Sequence, residues 1–277
     1  MSNADQIFVN RCIEILSSGE SNDGMKVRPV WEDGTPAYST SIFGVRNEYD
    51  LQKEFPIMTL RRTALTSAVD EILWIYQKKS NDVSKLSSHI WDSWKGEDGT
   101  IGKAYGYQIG QKSMRNGKMM DQIDFVLEQV KENPTDRGIM TNMFNVNELD
   151  EMNLRPCAYG TQWKVSGDNL SLILLQRSQD MLTASNWNVV QYAVLLMMVA
   201  QVSGLKPHKL IHFIGDCHIY DRHIPIVKKL IRRPTYDAPC VTLNPNVKNF
   251  YDFTPFDVHV NGEYKYNQFD DKIEVAI

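Results

Sequence analysis

No apolar run in these 277 residues reaches the roughly 20 residues that a helix needs to cross a bilayer. The N-terminus, Met1-Ser2-Asn3-Ala4-Asp5, lacks the basic-then-apolar order of a secretory signal. A cytoplasmic protein without a membrane partner is therefore expected. Cysteine is sparse: Cys12, Cys157, Cys217 and Cys240 stand far apart, without metal-ligand spacing and without the density of a disulfide scaffold. No metal site is expected, and a reducing compartment is the simplest home. Excess positive charge is also missing. The net charge of −4 argues against a nucleic-acid partner, but leaves room for a small anion held by a few local arginines. There are no internal repeats and no low-complexity linkers, so residues 1–277 read as one domain. A hydrophobic content of 42% suffices for a substantial core.

The periodic stretches come in a definite order. Ile7, Phe8, Cys12, Ile13 and Leu16 recur at helical spacing over residues 5–17, and Gly19 closes that helix. The turn-rich segment 27–36 reads as a loop leading to a strand at Ser41-Ile42-Phe43-Gly44. Thr63–Lys79 is the clearest helix, with Leu65, Ala68, Val69, Ile72, Leu73 and Tyr76 forming a wide apolar stripe. Glu71 sits inside that stripe. A carboxyl there is expected to be partly buried and to titrate late, as a general acid/base requires. Residues 107–120 are polar and basic and read as loop, and residues 121–131 read as helix. Residues 188–202 form a strongly apolar helix, and Ile211–Gly215 a buried strand.

The organising stretch is 154–188. Cys157 follows a proline. Ala158–Val165, the turn Ser166-Gly167-Asp168-Asn169 and Leu170–Leu175 read as a hairpin. Chain reversal brings Arg177, Ser178 and Asp180 alongside Cys157. A thiol near a guanidinium is an activated nucleophile, because nearby positive charge favours the thiolate.

Pro156-Cys157, the Gln176-Arg177-Ser178-Gln179-Asp180 strand end and Asn188 together resemble the active-site segment of thymidylate synthases. Further matches run in order along nearly the whole chain: Glu71-Ile72-Leu73-Trp74, Ile90-Trp91-Asp92-Ser93-Trp94, Ala104-Tyr105-Gly106, Gly215-Asp216-Cys217-His218-Ile219-Tyr220 and the tail Val275-Ala276-Ile277. The resemblance is strongest to the bacillus-type members. It implies an α+β fold, a large mixed β-sheet with helices on one face and a sheet-to-sheet homodimer through the other. It also implies reductive methylation of dUMP to dTMP with 5,10-methylenetetrahydrofolate, through a covalent bond from Cys157 to C6 of the base. Arg177 would lower the thiol pKa and, with Arg28 and Ser178, hold the phosphate. Arg137 would reach the partner subunit's phosphate site. Glu71 and Tyr105 would handle the proton and charge on the ring. Asn188 would select uracil, since an amide accepts from N3–H and donates to the neighbouring oxygen. His218 and Tyr220 would bind the ribose 3′-hydroxyl. Trp91, Trp94, Leu154, Asp180, Ala184, Trp187 and Ile277 would form the reduced-folate site.

Several positions depart from the family pattern. Gly138 stands where a second arginine is usual, Ala158 where a histidine usually follows the cysteine, and 183–187 lacks the usual glycine and proline. Two chemical endings stay open. Hydride transfer gives dTMP, whereas water addition gives 5-hydroxymethyl-dUMP, as in the hydroxymethylases of this fold. Trp91 and the Ile277 tail favour hydride, because both exclude water in the family. An RNA-binding role is opposed by the intact Cys157, Glu71, Asn188 and Asp180 set and by the acidic charge.

Overall fold

A computed structural model describes all 277 residues. Helix α1 (Asn3–Ser18) is capped by the Ser2 hydroxyl, which accepts from Asp5 N. A short β1 (Glu20–Ser21) then pairs with β2 (Ser39–Asp50). Helix α2 (Leu65–Tyr76) spans the apolar stripe itself and is shorter than the expected 63–79. It unwinds where the amides of Gln77 and Lys78 both donate to Leu73 O, just before Lys79 turns to a φ of 51°. Next come α3 (Gly106–Ile109), β3 (Ser113–Arg115), β4 (Lys118–Met120), α4 (Gln122–Glu132) and β5 (Met140–Asn142). The second half holds β6 (Ala158–Ser166), β7 (Asn169–Asp180), α5 (Ser185–Val202), β8 (Lys206–Tyr220), α6 (Ile224–Leu230), β9 (Cys240–Leu243) and β10 (Val258–Asn261).

Six strands form one mixed sheet in the order β1-β2-β8-β7-β6-β5, in which only β7 and β8 run parallel. A parallel pair needs a crossover, and α5 supplies it. Its residues are apolar around nearly the whole circumference, so it is buried. Leu170, Leu172, Leu174, Leu210 and Ile214 are buried on the helix-covered face. Ile173, Leu175, Ile211 and Phe213 alternate with them and are left partly exposed on the other face.

Three expectations need correction. Residues 107–120 are not a plain loop: they hold one helical turn and a β3–β4 hairpin closed by Asn116 and Gly117, both at positive φ. Asn-Gly is the preferred pair for such a turn, so the hairpin was legible. Helix α5 starts at Ser185 rather than Asn188, so Ser185, Asn186 and Trp187 are helical. The strand expected at 211–215 is the middle of a 15-residue β8 that continues to Tyr220. Apolar patterning finds the middle of a strand and misses ends that turn polar at a site.

Candidate active site

Cys157 lies immediately before β6, and Arg177 N donates to its carbonyl at 2.9 Å. The hairpin register therefore sets the guanidinium beside the thiol, with Nη2 to Sγ at 3.7 Å. Arg177 is held in turn by the carbonyls of Pro156 and Arg155, at 3.1 and 2.8 Å. Gly215 permits this close approach of β7 to β8: a Cβ there would lie 2.7 Å from Arg177 O. The Arg177 charge acts on the thiol in the expected direction, against the effect of burial. Burial pushes the Cys157 thiol up, and the charges of Arg177 and Arg28 pull it down without winning.

Tyr105 supports the same residue. Its hydroxyl accepts from Cys157 N at 3.1 Å, and its own backbone is strained at φ 48°. Its ring packs edge-on against Trp91 at 4.9 Å, and Trp91 against Trp94 at 5.7 Å. Glu71, on α2, completes this wall. Trp91 Nε1 donates to its Oε1 at 3.1 Å, and Trp187 Nε1 donates to its Oε2 at 2.6 Å. Burial raises the carboxyl, the indole donors oppose it, and the result is a pKa of about 7. The late-titrating carboxyl expected from the apolar stripe is therefore present.

A second chain of side chains ends at Asn188. Ser178 O can only accept, so the Gln176 atom 3.0 Å from it is the amide nitrogen. That nitrogen also faces Asn188 at 3.3 Å, which makes the Asn188 atom its oxygen. Asn188 Nδ2 then donates to Gln191 Oε1 at 3.1 Å. At the other end, Gln176 Oε1 lies 2.9 Å from His212 Nε2, which must carry the proton. Burial lowers His212 to about 3, so the ring is neutral. The sequence reading missed Gln176, Gln191 and His212. The signal was a polar side chain at the inward phase of an otherwise apolar strand, as at Gln176 and His212.

The β7–β8 register brings the remaining groups to one end of the sheet. Ser178 pairs with Asp216, and Asp180 with His218. His218 Nδ1 is 2.7 Å from Asp216 Oδ1, while its Nε2 is buried without a partner. Such an orphan suits a ligand hydroxyl. Tyr220 packs edge-on to His218 at 4.9 Å. Burial and then Asp180 push its phenol up to about 12, while Arg28 opposes them. Asp180 accepts from Leu182 N at 2.8 Å and from the Thr183 hydroxyl at 2.7 Å. Burial raises its pKa, but His223, His218 and the Thr183 hydroxyl outweigh that and hold it low.

Ile277 pairs by backbone with Val30, its amide donating at 3.0 Å and its carbonyl accepting at 2.9 Å. The tail thus lies on the loop that carries Arg28. Arg222 bridges both segments, reaching Asp33 at 2.7 Å and Glu274 at 2.8 Å. Leu154 packs at the edge of the main core, and Ala184 is the N-cap residue of α5. Arg137 is the one expected site residue that lies apart. It is exposed on the open side of the sheet, beside a depression of about 470 Å³ shared with Gln162, Lys164, Ile173 and Ile211. No group of three or more His, Cys, Asp or Glu side chains is arranged to hold a metal ion, and no helix is long and apolar enough to cross a membrane.

Comparison with known proteins agrees with this geometry. The family model described as thymidylate synthase matches residues 6–277. The chain is 46% identical over 259 residues to the thymidylate synthase of Bacillus licheniformis, covering 92% of each. It is 44% identical to thymidylate synthase 1 of Bacillus subtilis strain 168 and to the thymidylate synthase of Bacillus phage phi3T, with the same coverage. The solved structure of thermostable thymidylate synthase A from Bacillus subtilis superposes with a TM-score of 0.94 at 43% identity over 99% of both chains. A match running from the first helix to the last residue, with relatives that cover nearly their full length, is decisive: the chain belongs to the thymidylate synthase family.

Proposed function

We propose that this protein methylates dUMP to dTMP, using 5,10-methylenetetrahydrofolate as co-substrate. The observation that carries the reading is the Cys157 thiol set 3.7 Å from the Arg177 guanidinium, with its backbone amide tied to the Tyr105 hydroxyl. Cys157, giving up its proton, adds as thiolate to C6 of the base, and the C5–C6 electron pair moves toward C5 and O4, which leaves C5 nucleophilic. Arg177, Arg28 and Ser178 grip the phosphate, since forked guanidinium groups match its oxygens. Asn188 accepts from N3–H and donates to O4 of uracil, and His218 Nε2 and Tyr220 take the ribose hydroxyl. Glu71, poised near neutrality, exchanges a proton with the ring while Tyr105 steadies the nucleophile.

The folate supplies a one-carbon unit and the hydride that completes the methyl group. Residues fit to hold it: the Trp91 and Trp94 rings offer an apolar wall beside Glu71, with Leu154, Ala184 and Trp187 around it. Asp180 keeps lone pairs for a pterin donor, and Ile277 closes the mouth from the Arg28 loop. Water exclusion by Trp91 and the tail favours the methyl product over the hydroxymethyl one, in line with the relatives' names.

A homodimer belongs to the same reading. The open sheet face, with Ile173, Leu175, Ile211 and Phe213, is apolar enough to pair with a copy of itself. Arg137 stands on that face with no use in its own subunit, which suits a reach to the partner's phosphate. Four free cysteines agree with a reducing cytoplasm.

The test is product analysis from dUMP and methylenetetrahydrofolate. Dihydrofolate is expected in equal amount with a product whose mass has gained only a methylene. Unoxidised tetrahydrofolate with a product one oxygen heavier would overturn the reading.

A further inference from the structure

Glu71 is gripped on both oxygens by tryptophans from different parts of the chain. Trp91 belongs to the segment after α2, and Trp187 to the first turn of α5, which packs against α2. An indole N–H can donate and can never accept. Two such donors, one on each oxygen, fix the plane of the carboxylate: rotation about the last side-chain bond breaks both contacts unless it exchanges the oxygens. Two other groups face the carboxyl: the Gln191 amide, one turn further along α5, favours its charged form, and Asp70, its neighbour on α2, opposes it. The grip then continues through packing, because the Trp91 ring lies against Tyr105, whose hydroxyl holds the nucleophile's amide.

Trp187 is the less expected half of this clamp. A phenylalanine at 187 would keep an aromatic ring there, though a smaller one, and supply no donor. The shorter of the two bonds, 2.6 Å, is the one from Trp187. Trp187 also precedes Asn188 directly on α5, so the base-facing amide and the carboxylate's second donor ride on one helical turn.

We infer that Trp187 is a positioning residue for proton transfer, its indole N–H holding the Glu71 carboxylate in the plane and charge state from which it serves the pyrimidine. This rests on the reading of Glu71 as proton carrier. A role in the folate wall alone would need only the ring. The electrostatic consequence has a fixed sign. Removing a donor from a buried carboxylate disfavours its charged form, so Glu71 would titrate at higher pH.

The experiment compares the pH dependence of kcat for wild type, Trp187→Phe and Glu71→Gln. In Trp187→Phe the acidic limb should move up by about one pH unit, the scale of one charge-assisted hydrogen bond. KM for dUMP should stay within about twofold of wild type, since Trp187 does not touch the phosphate grip. Superimposed profiles, or a change confined to the folate KM, would overturn the clamp. Full activity in Glu71→Gln would remove the premise instead, and the two failures are distinct. A measurement on the wild type guards against misfolding of the variant. With ¹⁵N-labelled indoles, the Trp187 and Trp91 N–H resonances should titrate together near pH 7 and stand still in Glu71→Gln. A Trp187 resonance that stays flat while that of Trp91 titrates would refute the inference.

Discussion

Gln176→Leu tests whether the direction of the Asn188 amide is built into the fold. Gln176 is buried on β7, and its amide is oriented by Ser178 O, which can only accept. Through it the Asn188 oxygen is held as acceptor, and through Gln191 the Asn188 nitrogen is held as donor. That orientation fits uracil. Cytosine offers an acceptor at N3 and a donor at N4, so it needs the amide reversed. Reversal sets N–H against N–H at Gln176 and oxygen against oxygen at Gln191, giving up two neutral bonds of about 1 kcal/mol each. The lock is therefore worth roughly 2 kcal/mol, or about thirtyfold in preference. Gln176→Leu removes one of the two holds, so the ratio of dUMP to dCMP affinity should fall about fivefold. Adding Gln191→Leu should take most of the rest. Stability also drops, because Ser178 O and the His212 N–H are left without partners at roughly 1–3 kcal/mol each. That loss needs its own control. His212→Leu frees Gln176 Oε1 but leaves the Gln176 nitrogen still oriented by Ser178 O and facing Asn188, so it should lower the unfolding midpoint and leave base preference within about twofold. Calorimetric titration with both nucleotides, beside thermal unfolding of each variant, reads all of this. An unchanged preference in Gln176→Leu, or an equal relaxation in His212→Leu, would refute the argument.

Two further outcomes follow from the same contacts. Glu71 titrates near 7 in the folded chain against 4.5 for a free carboxyl, so the folded state binds more protons between those values and wild-type stability falls as pH rises through them; Glu71→Gln should lack that fall and gain up to roughly 3 kcal/mol over wild type at pH 8 relative to pH 4, and parallel unfolding curves at the two pH values would contradict it. Gly138 has a backbone open to any residue, its virtual Cβ meeting only Asp136 Oδ1 at 3.3 Å, so Gly138→Arg should be tolerated and tighten dUMP binding by roughly 1–3 kcal/mol, one added charged hydrogen bond; unchanged affinity by titration would mean that another group already fills that place.

How much of this was legible in the sequence depends on the range over which each residue's role is set. The Cys157–Arg177 pair was readable to within one residue because a hairpin register is local: counting from the Gly167 turn sets Gly160 opposite Leu175, and a bulge between Ala158 and Gly160 then shifts the pairing by one, so that Ala158 faces Gln176. Glu71 was readable as a polar residue inside an apolar stripe, a periodicity that one helix settles alone. The two indoles that grip it were not, because Trp91 and Trp187 lie 20 and 116 positions away and meet it only after α5 packs on α2. The thiol's burial was out of reach for a related reason. Adjacency showed the arginine that favours the thiolate, whereas burial, the larger influence, belongs to the assembled fold. Helix α5 was placed late because its first turn carries Ser185, Asn186 and Trp187, whose polar groups reach to other segments: the Asn186 oxygen accepts from Met58 N and the Thr63 hydroxyl, and the Trp187 indole donates to Glu71. Residues that stitch distant segments together break the apolar period that announces a helix, so the sequence is hardest to read where the site is most tightly assembled.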